Sequence, residues 1–246
     1  MRFSSLGSGS RGNALVVESL KARVLIDCGL GIKHLSSSLE KIDLTPEHLD
    51  AIFITHEHSD HIKGLKSLIK KHTIPIFMTY GTYASSNIIF EEEVNFLKDS
   101  EKVSFQDMTV EPVVVPHDSK DPCQFIIYFD SCKSDNLHEK NNLKKLGILT
   151  DLGSFSKRVT EAYKNCDALI LECNHDEKML SSGSYPLSLK NRVSSDWGHL
   201  SNRQSSEFID MCDKEKLQWL VLAHLSKQNN TEDLALNSIK KFFPFN

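Results

Sequence analysis

The sequence has no long apolar run and no closely spaced pair of cysteines. None of its segments approaches the roughly 18 consecutive apolar residues that a membrane-spanning helix needs. Residues Met1 to Gly7 hold no apolar stretch typical of a signal peptide. The six cysteines form no Cys-x-x-Cys pair, which favours reduced thiols over a disulfide framework. We therefore expect a cytoplasmic protein with no membrane partner.

An excess of positive charge is also missing, as are two common catalytic patterns. The chain has 29 lysines and arginines against 33 aspartates and glutamates, so no global basic field attracts nucleic acid. A polyanionic substrate would need local positive charge. There is no Gly-x-Ser-x-Gly turn and no P-loop pattern, so serine-hydrolase and P-loop chemistry are not supported.

The most informative segment is Thr55-His-Glu-His-Ser-Asp-His61, which directly follows an apolar run. Alternate side chains of an extended segment point the same way, so His56 and His58 share one side. Asp60 and His61 follow at the turn into the next helix. Imidazole and carboxylate groups together suit zinc, manganese or iron. The segment therefore predicts ligands for two neighbouring metal ions, the alternative being a solvated loop that is rich in histidine by chance.

Three further candidate ligands each follow a predicted strand. His117 comes after an apolar run within Pro116-His117-Asp118, Asp151 ends a second run, and His224 ends a third. Taken singly, a histidine at a strand end is more often structural than a ligand. The three together, after the histidine-rich segment, indicate a metal site.

The chain contains a weak internal repeat. The segment from Arg23 to Leu30 matches that from Gly147 to Ser154, and the segment from Leu49 to His56 matches that from Cys166 to Cys173. Both halves predict a strand, an aspartate, a helix, a strand and a polar edge, although a chance echo is the alternative. No linker divides the chain. We therefore expect one domain over 1–246, with an exposed loop over Ser131 to Lys145.

The pattern His56-x-His58-x-Asp60-His61 resembles the signature motif of the metallo-β-lactamase superfamily. The resemblance implies an α/β fold, a four-layer αββα sandwich, with a dinuclear site at one edge of its two sheets. It implies two divalent ions, zinc or manganese, as cofactors. The implied ligands are His56, His58 and His117 for one ion, Asp60, His61 and His224 for the second, and Asp151 bridging both.

The same resemblance suggests supporting residues and a reaction. Asp27 resembles the family's conserved aspartate, and we expect it to hold a ligand histidine by a hydrogen bond. Asp118 is expected to support the ligands in the same way. Two ions that share a water lower its pKa and yield a hydroxide nucleophile, which Asp60 is expected to help place. Asp60 and His199 are the predicted catalytic residues.

The second half of the chain gives a sharper match. Three of its motifs, together with the start from Leu6 to Asn13, resemble the bacterial YycJ/WalJ group, regarded as 5′-to-3′ DNA exonucleases. The motifs are Glu172-Cys-Asn174-His175-Asp176, Gly198-His199-Leu200-Ser201-Asn202 and His224-Leu-Ser-Lys-x-Asn229-Asn230. The resemblance implies a dinuclear-metal phosphodiesterase whose partner is DNA or another nucleic acid. The oligomeric state stays open.

The predicted substrate contacts are polar residues near these motifs. Lys190 and Arg192 are taken to share one face and contact backbone phosphates. The remaining candidates are His199, Ser201 and Asn202 for a terminal phosphate, Asn229 and Asn230 beside His224, Asn13 in a Gly/Ser turn that faces an anion, and His175. A solvated basic face, or a loop that caps itself through Ser and Asn, is the alternative for each.

Two other functions remain open from the sequence. A cyclic phosphodiesterase or thioesterase would use the same site on a small molecule. A wide groove lined by Lys190, Arg192 and Lys157 would favour nucleic acid, whereas a closed apolar pocket would favour the small molecule. A metal-binding regulatory protein without catalysis is the third possibility, and the complete ligand set argues against it.

Overall fold

Six strands form the first sheet, in the order β1-β2-β3-β4-β5-β6. The structure is a computed structural model that describes residues 1–90, 93–130, 143–212 and 215–241. The first three strands are antiparallel neighbours, and β3 to β6 are parallel. The strands are β1 (Arg2–Gly7), β2 (Ala14–Glu18), β3 (Arg23–Ile26), β4 (Ala51–Phe53), β5 (Ile76–Thr79) and β6 (Val94–Leu97).

The second sheet also has six strands, in the order β12-β11-β10-β9-β8-β7. Its β7 and β8 are antiparallel, while β10, β11 and β12 are parallel. The strands are β7 (Val103–Phe105), β8 (Met108–Val114), β9 (Cys123–Asp130), β10 (Leu143–Leu149), β11 (Ala168–Glu172) and β12 (Trp219–Ala223). Both sheets are therefore mixed.

The described residues hold nine α-helices, most of them short. They are α1 (Ile32–Glu40), α2 (Ser59–Ile62), α3 (Leu65–Ile69), α4 (Tyr80–Ser85), α5 (Lys157–Ala162), α6 (Glu177–Ser182), α7 (Leu187–Val193), α8 (Asn202–Met211) and α9 (Glu232–Ile239). A 3₁₀ turn covers Pro46–His48. Within the described ranges, no helix combines the length and the apolar character needed to cross a membrane.

The described chain divides into two compact units. Of the described residues, the first comprises 1–90, 93–112, 119–123, 127–130 and 143–144, and the second comprises 113–118, 124–126, 145–212 and 215–241. The chain passes from one unit to the other repeatedly between β8 and β10, so neither unit is one continuous segment. The expected single domain over 1–246 stays a prediction.

The core of the first unit forms between its sheet and two helices. Leu35 and Leu39 of α1 and Leu65 and Leu68 of α3 are fully buried against strand residues such as Ile52. Burial of each such side chain stabilises the fold by about 1.5–3 kcal/mol. The segment between β4 and α3, which carries the histidine cluster, is therefore anchored at both ends.

The internal repeat has a backbone counterpart. Asp27 follows β3 and Asp151 follows β10, and the two have φ angles of 61° and 53°. Non-glycine residues seldom adopt this left-handed conformation, although aspartate tolerates it better than most. In both halves the next strand in the chain runs parallel to the first.

The expected exposed loop and several short helices differ from the structure. Strand β10 begins at Leu143, so the expected loop over Ser131 to Lys145 is wrong for its last three residues. Residues 131–142 of that loop lie outside the described residues. The sequence analysis also missed α4, α6 and α7, whose short lengths give too few apolar positions for a helical period to show.

Gly29 makes the closest backbone approach in the first unit. A Cβ atom at this position would lie 1.6 Å from the carbonyl oxygen of Asp60, and 2.7 Å from the backbone nitrogen of Asn13. The backbone N–H of Gly29 donates to the carbonyl of Asn13 at 2.8 Å. Only glycine fits here, and its lack of a side chain lets the residue at position 60 pack against β3.

Gly29→Ala should therefore lower the free energy of unfolding by more than about 2 kcal/mol, because the methyl group must displace a backbone carbonyl. Urea unfolding followed by circular dichroism measures the change. Gly31→Ala is the matched control, since a Cβ at Gly31 meets nothing within 4 Å. Equal stability of the two variants would contradict the close approach.

Candidate metal centre

The histidine cluster of the first unit lies in an extended segment between β4 and α2. His56 and His61 are fully buried, and His58 is half-buried at the start of α2. His56 Nε2 lies 3.1 Å from His58 Nδ1, and the ring centroids of His56 and His61 are 4.0 Å apart. Asp60 places an Oδ atom 3.8 Å from His61 Nε2. The four residues of the sequence motif are thus brought together.

A buried carboxylate orients these rings. Asp27 Oδ2 lies 2.7 Å from His61 Nδ1, so that nitrogen donates a proton to Asp27 and Nε2 is left to bind a metal. The hydroxyl of Thr55 donates to Asp27 at 3.0 Å and lies 3.0 Å from His56 Nδ1, from which it accepts. Asp27 therefore fixes both ligand rings, one of them through Thr55, for which the sequence alone predicted no role.

Asn13 borders the same ligands. Its side-chain nitrogen lies 2.9 Å from His61 Nε2 and 3.4 Å from an Asp60 carboxylate oxygen. Its backbone N–H donates to the carbonyl of Asp60 at 2.7 Å, and its side-chain oxygen accepts from the backbone N–H of Gly9 at 2.7 Å. Asn13 thus ties the Gly/Ser turn to the ligand segment, and its predicted substrate contact stays a prediction.

The second unit contains its own cluster of titratable groups. Ligand atoms of Asp151, Glu172, His199 and His224 all lie within 4.8 Å of one another. Asp151 and His224 are buried, and both have positive φ angles at the ends of their strands. His224 Nε2 lies 3.4 Å from Asp151 Oδ1. Two predicted ligands of this unit are therefore neighbours.

Glu172 is the residue in this cluster that sequence reasoning missed. It is fully buried at the end of β11, and one carboxylate oxygen accepts from His224 Nδ1 at 2.8 Å and from His199 Nδ1 at 2.9 Å. The other oxygen accepts the backbone N–H of Leu152 and of Leu200. The internal repeat could have indicated a role for Glu172, because Glu172 aligns with Thr55, which contacts the ligand histidines of the first unit.

Glu172 and the neighbouring histidines of this cluster change one another's pKa values. Burial by itself raises the pKa of Glu172, but hydrogen bonds and attraction from His199 and His224 lower it to about 2. Burial by itself lowers the pKa of His199, but Glu172 and then Asp151 raise it to about 9. Glu172 and His199 are therefore an ion pair at neutral pH.

His117 is held through one ring nitrogen. Its Nδ1 donates to the carbonyl of Gly198 at 3.1 Å, which leaves Nε2 as the atom that can bind a metal. Burial lowers the pKa of His117, which keeps the ring in the neutral form that metals bind. Asp118 lies 3.5 Å from His117 Nε2 and also pairs with Arg192. The nitrogen opposite Nε2 is held by Gly198 and not by Asp118, so the supporting role of Asp118 stays a prediction.

These donor sets fit divalent cations. His56 and His61 each bind a protein group through Nδ1, so each presents Nε2, and His58 presents Nδ1 toward His56. Buried carboxylates stand among the imidazoles in both units, and nitrogen with oxygen is the donor mixture of zinc and manganese sites. Four of the seven predicted ligands lie together in the first unit. The other three, His117, Asp151 and His224, lie in the second.

The prediction that Lys190 and Arg192 share one face is wrong. Both lie in α7, and residues two apart in a helix point to different sides. The Lys190 ammonium donates to the carbonyl of Ser181 at 2.6 Å, and the Arg192 guanidinium pairs with Asp118. Side chains two residues apart share a face in a strand, whereas α7 is a helix with a period of 3.6 residues. The two side chains therefore do not form one phosphate-binding surface.

Ser201, Asn202 and Asn230 lie in the hydrogen-bond network of the fold. Ser201 caps α8 by accepting from the backbone N–H of Gln204, whose side chain accepts from the Ser201 N–H in return. The buried amides of Asn202 and Asn230 bind each other at 2.8 and 2.9 Å. These contacts favour the alternative of a self-capping loop over phosphate binding.

His175, Asn229 and His199 remain as substrate candidates. His175 and Asn229 are buried, and within the described residues His175 Nδ1 and the side-chain oxygen of Asn229 have no hydrogen-bond partner. The side chain of His199 is 21% exposed, so the ring can reach a ligand while Glu172 holds it. Their roles stay predictions.

Comparison with known proteins decides the family. The model of the β-lactamase superfamily domain matches residues 22–224. The chain belongs to this superfamily. It is 36% identical over 240 residues to exodeoxyribonuclease WalJ of Streptococcus pneumoniae, covering 95% of this chain and 85% of the relative. It is 33% identical over 246 residues to exodeoxyribonuclease YycJ of Bacillus anthracis, covering 98% and 88%.

Solved structures agree on the fold. The metallo-β-lactamase fold protein YhfI from Bacillus subtilis aligns with a TM-score of 0.73 at 18% identity, over 98% of this chain and 92% of that one. The short form of human tRNase Z aligns with a TM-score of 0.64 at 19% identity, over 92% and 93%. The predicted α/β metallo-β-lactamase fold is confirmed, and the chain is a metal-dependent hydrolase of this superfamily.

Asp27→Asn should weaken metal binding about 10–100-fold while the fold survives, because an amide cannot accept both the histidine and the threonine protons that the carboxylate accepts. Competition with a zinc-binding dye measures the affinity. Asp43→Asn is the control, since Asp43 is exposed and has nearly the same φ, 60°. Equal metal affinity in both variants would contradict the orienting role of Asp27.

Proposed function

We propose that this protein is a dinuclear-metal phosphodiesterase that degrades DNA from its 5′ end. The observation that carries the proposal is the pair of ligand clusters, each with its histidines held by a buried carboxylate. The names of the WalJ and YycJ relatives support a nuclease and a nucleic-acid substrate. Two ions, the 5′-to-3′ direction and the preference for DNA are our inference from the family resemblance.

The residues that would hold the ions in this proposal are the seven predicted ligands. His56, His58 and His117 would serve one ion, Asp60, His61 and His224 the other, and Asp151 would serve both. Bound ions would supply activation of water and neutralisation of the charge that develops on the phosphate, and both zinc and manganese fit the donor set.

The side chains around the ligands keep them in the form that binds metal. The Nδ1–H of His61 donates to Asp27, and the Nδ1–H of His224 donates to Glu172. Asp60, half-buried at the start of α2, faces the ligand rings and helps to place the attacking water. Each proton held away from the site leaves a ring lone pair for a metal ion.

His199 is proposed to contact the terminal phosphate. It lies 2.9 Å from Glu172 and 3.6 Å from Asp151, and it is the most exposed member of its cluster. Its charged ring can donate a strong hydrogen bond to a phosphate oxygen. Glu172 acts only through His199 and His224, so it is a positioning residue.

Asp60→Ala should abolish hydrolysis of DNA, with kcat reduced by at least about 100-fold, because the second ion loses a ligand and the nucleophile its orientation. The assay follows labelled DNA by gel electrophoresis in zinc and in manganese. Ser59→Ala, an exposed neighbour in the same helix, is the control. Activity of folded Asp60→Ala within a few-fold of the wild type would show that the assigned role is wrong.

DNA that carries a 5′-phosphate should be cleaved faster than DNA with a 5′-hydroxyl group, and His199→Ala should shrink that preference more than it slows a small phosphodiester reporter. The rates come from DNA labelled at its 3′ end. Equal losses on both ends and on the reporter would place His199 in the metal site or the fold. Turnover of a thioester or cyclic nucleotide, with no nucleic acid cleaved, would favour the small-molecule alternative.

A further inference from the structure

A pocket of about 380 Å³ lies in the first unit, apart from the ligand cluster. Its floor is apolar, with Ile74 and Ile76 buried, and Ile89 and Phe90 line it as well. Its rim is basic. The basic residues that line it are Lys66, Lys70, Lys71 and His72, and none of its lining residues is acidic. Nothing in the proposed reaction uses this pocket.

The pocket lies at the opposite edge of the sheet from the metal ligands. Strands β4 and β5 are parallel, so they begin at the same edge. The ligand segment follows the end of β4, whereas Thr73 and Ile74 of the pocket come just before β5 begins. The helices α2 and α3 connect the two places along the chain.

A row of lysines runs along these helices from the ligand segment to the pocket. Lys63, Lys66 and Lys70 have helical backbone angles or lie within α3, and their spacing of three and four residues puts them on one face. All three are exposed, while Ile62, Leu65 and Leu68 are buried on the other face. We call Lys63, Lys66, Lys70 and Lys71 the lysine row.

Ion pairs among the described residues leave the lysine row without a partner carboxylate. Within the described residues, no member of the row forms an ion pair, and the nearby carboxylate of Glu47 pairs instead with His72 at 3.5 Å. Like charges four residues apart destabilise a helix by a few tenths of a kcal/mol. Lysines near the end of α3 also complement the helix dipole, which explains one or two of them but not the whole row.

We propose that the lysine row and its pocket bind a single-stranded segment of nucleic acid at a distance from the metal site. Phosphates would lie along the lysines, and one base would enter the apolar pocket against Phe90. Phe90 is half-buried, and its ring centroid lies 5.4 Å from that of Tyr83, which fixes it as a surface for stacking. The proposal extends the proposed function, because it names a second contact for the same class of substrate.

The chemistry of the surface favours a nucleotide over an acidic peptide. A pocket of this size suits a planar ring system, and an aromatic side chain at its wall adds stacking to burial. Several cations along one surface match a polymer whose charge repeats at every unit. An acidic segment of a protein offers no ring for Phe90 and becomes an outcome of the test.

Binding is measured by fluorescence anisotropy with a labelled single strand of about 20 nucleotides, longer than the site size of a typical single-strand module. EDTA is present, so that cleavage and metal ions play no part. The variant is Lys66→Gln with Lys70→Gln. The control is Lys33→Gln with Lys41→Gln, since both of those lysines are exposed in or just after α1 and carry the same total charge.

The lysine-row variant should bind more weakly, and its plot of log affinity against log salt should flatten by about 0.7 for each phosphate that the variant no longer neutralises. The control variant should match the wild type. Phe90→Leu should weaken binding about fivefold or more with the salt slope unchanged, because stacking carries no charge.

Three results would overturn this inference. One is equal weakening in both lysine variants, which would indicate net charge alone. Another is wild-type binding in the lysine-row variant. The third is competition by polyglutamate as effective as that of the oligonucleotide, which would assign the surface to an acidic protein. Wild-type protein that binds DNA through the lysine row yet cleaves none would instead contradict only the proposed function.

Discussion

Imidazole rings bind metal through a nitrogen that carries no proton, and here buried carboxylates fix which nitrogen of a neutral ring keeps its proton. Asp27 accepts a hydrogen bond from Nδ1 of His61 in the first unit, and Glu172 accepts one from Nδ1 of His224 in the second. Both carboxylates are almost fully buried and accept several other hydrogen bonds. The burial of these two carboxylates is tolerable because each oxygen accepts hydrogen bonds. These hydrogen bonds also hold the ligand rings in fixed orientations.

The backbone makes room for this arrangement at a few unusual positions. Asp27 and Asp151 turn away from their strands with positive φ angles, and Gly29 lets the chain at Asp60 approach β3. Strain of this kind persists only where the surrounding fold determines it. The same aspartate conformation occurs in both halves of the repeat. The weak sequence repeat therefore corresponds to a backbone conformation that both halves share.

The ligand segment could be predicted because its chemistry is local, with four candidate ligands within six residues, from His56 to His61. Glu172 and Thr55 could not be assigned, because their role depends on which ring nitrogen they meet in the folded chain. Ser201 was misjudged although the sequence Ser201-Asn-Arg-Gln204 carries the signature of a capping box. The lysine row escaped notice because a net charge of −4 conceals a local basic surface.

The count of bound metal ions tests the central claim most directly. Metal-free protein is titrated with zinc and with manganese by calorimetry, and the loaded protein is analysed for its elements after gel filtration. If the proposed centre is dinuclear, wild-type protein holds two ions per chain, and His58→Ala or His224→Ala lowers the metal affinity because each removes a proposed ligand. A value near one ion per chain that persists at excess metal would contradict the account.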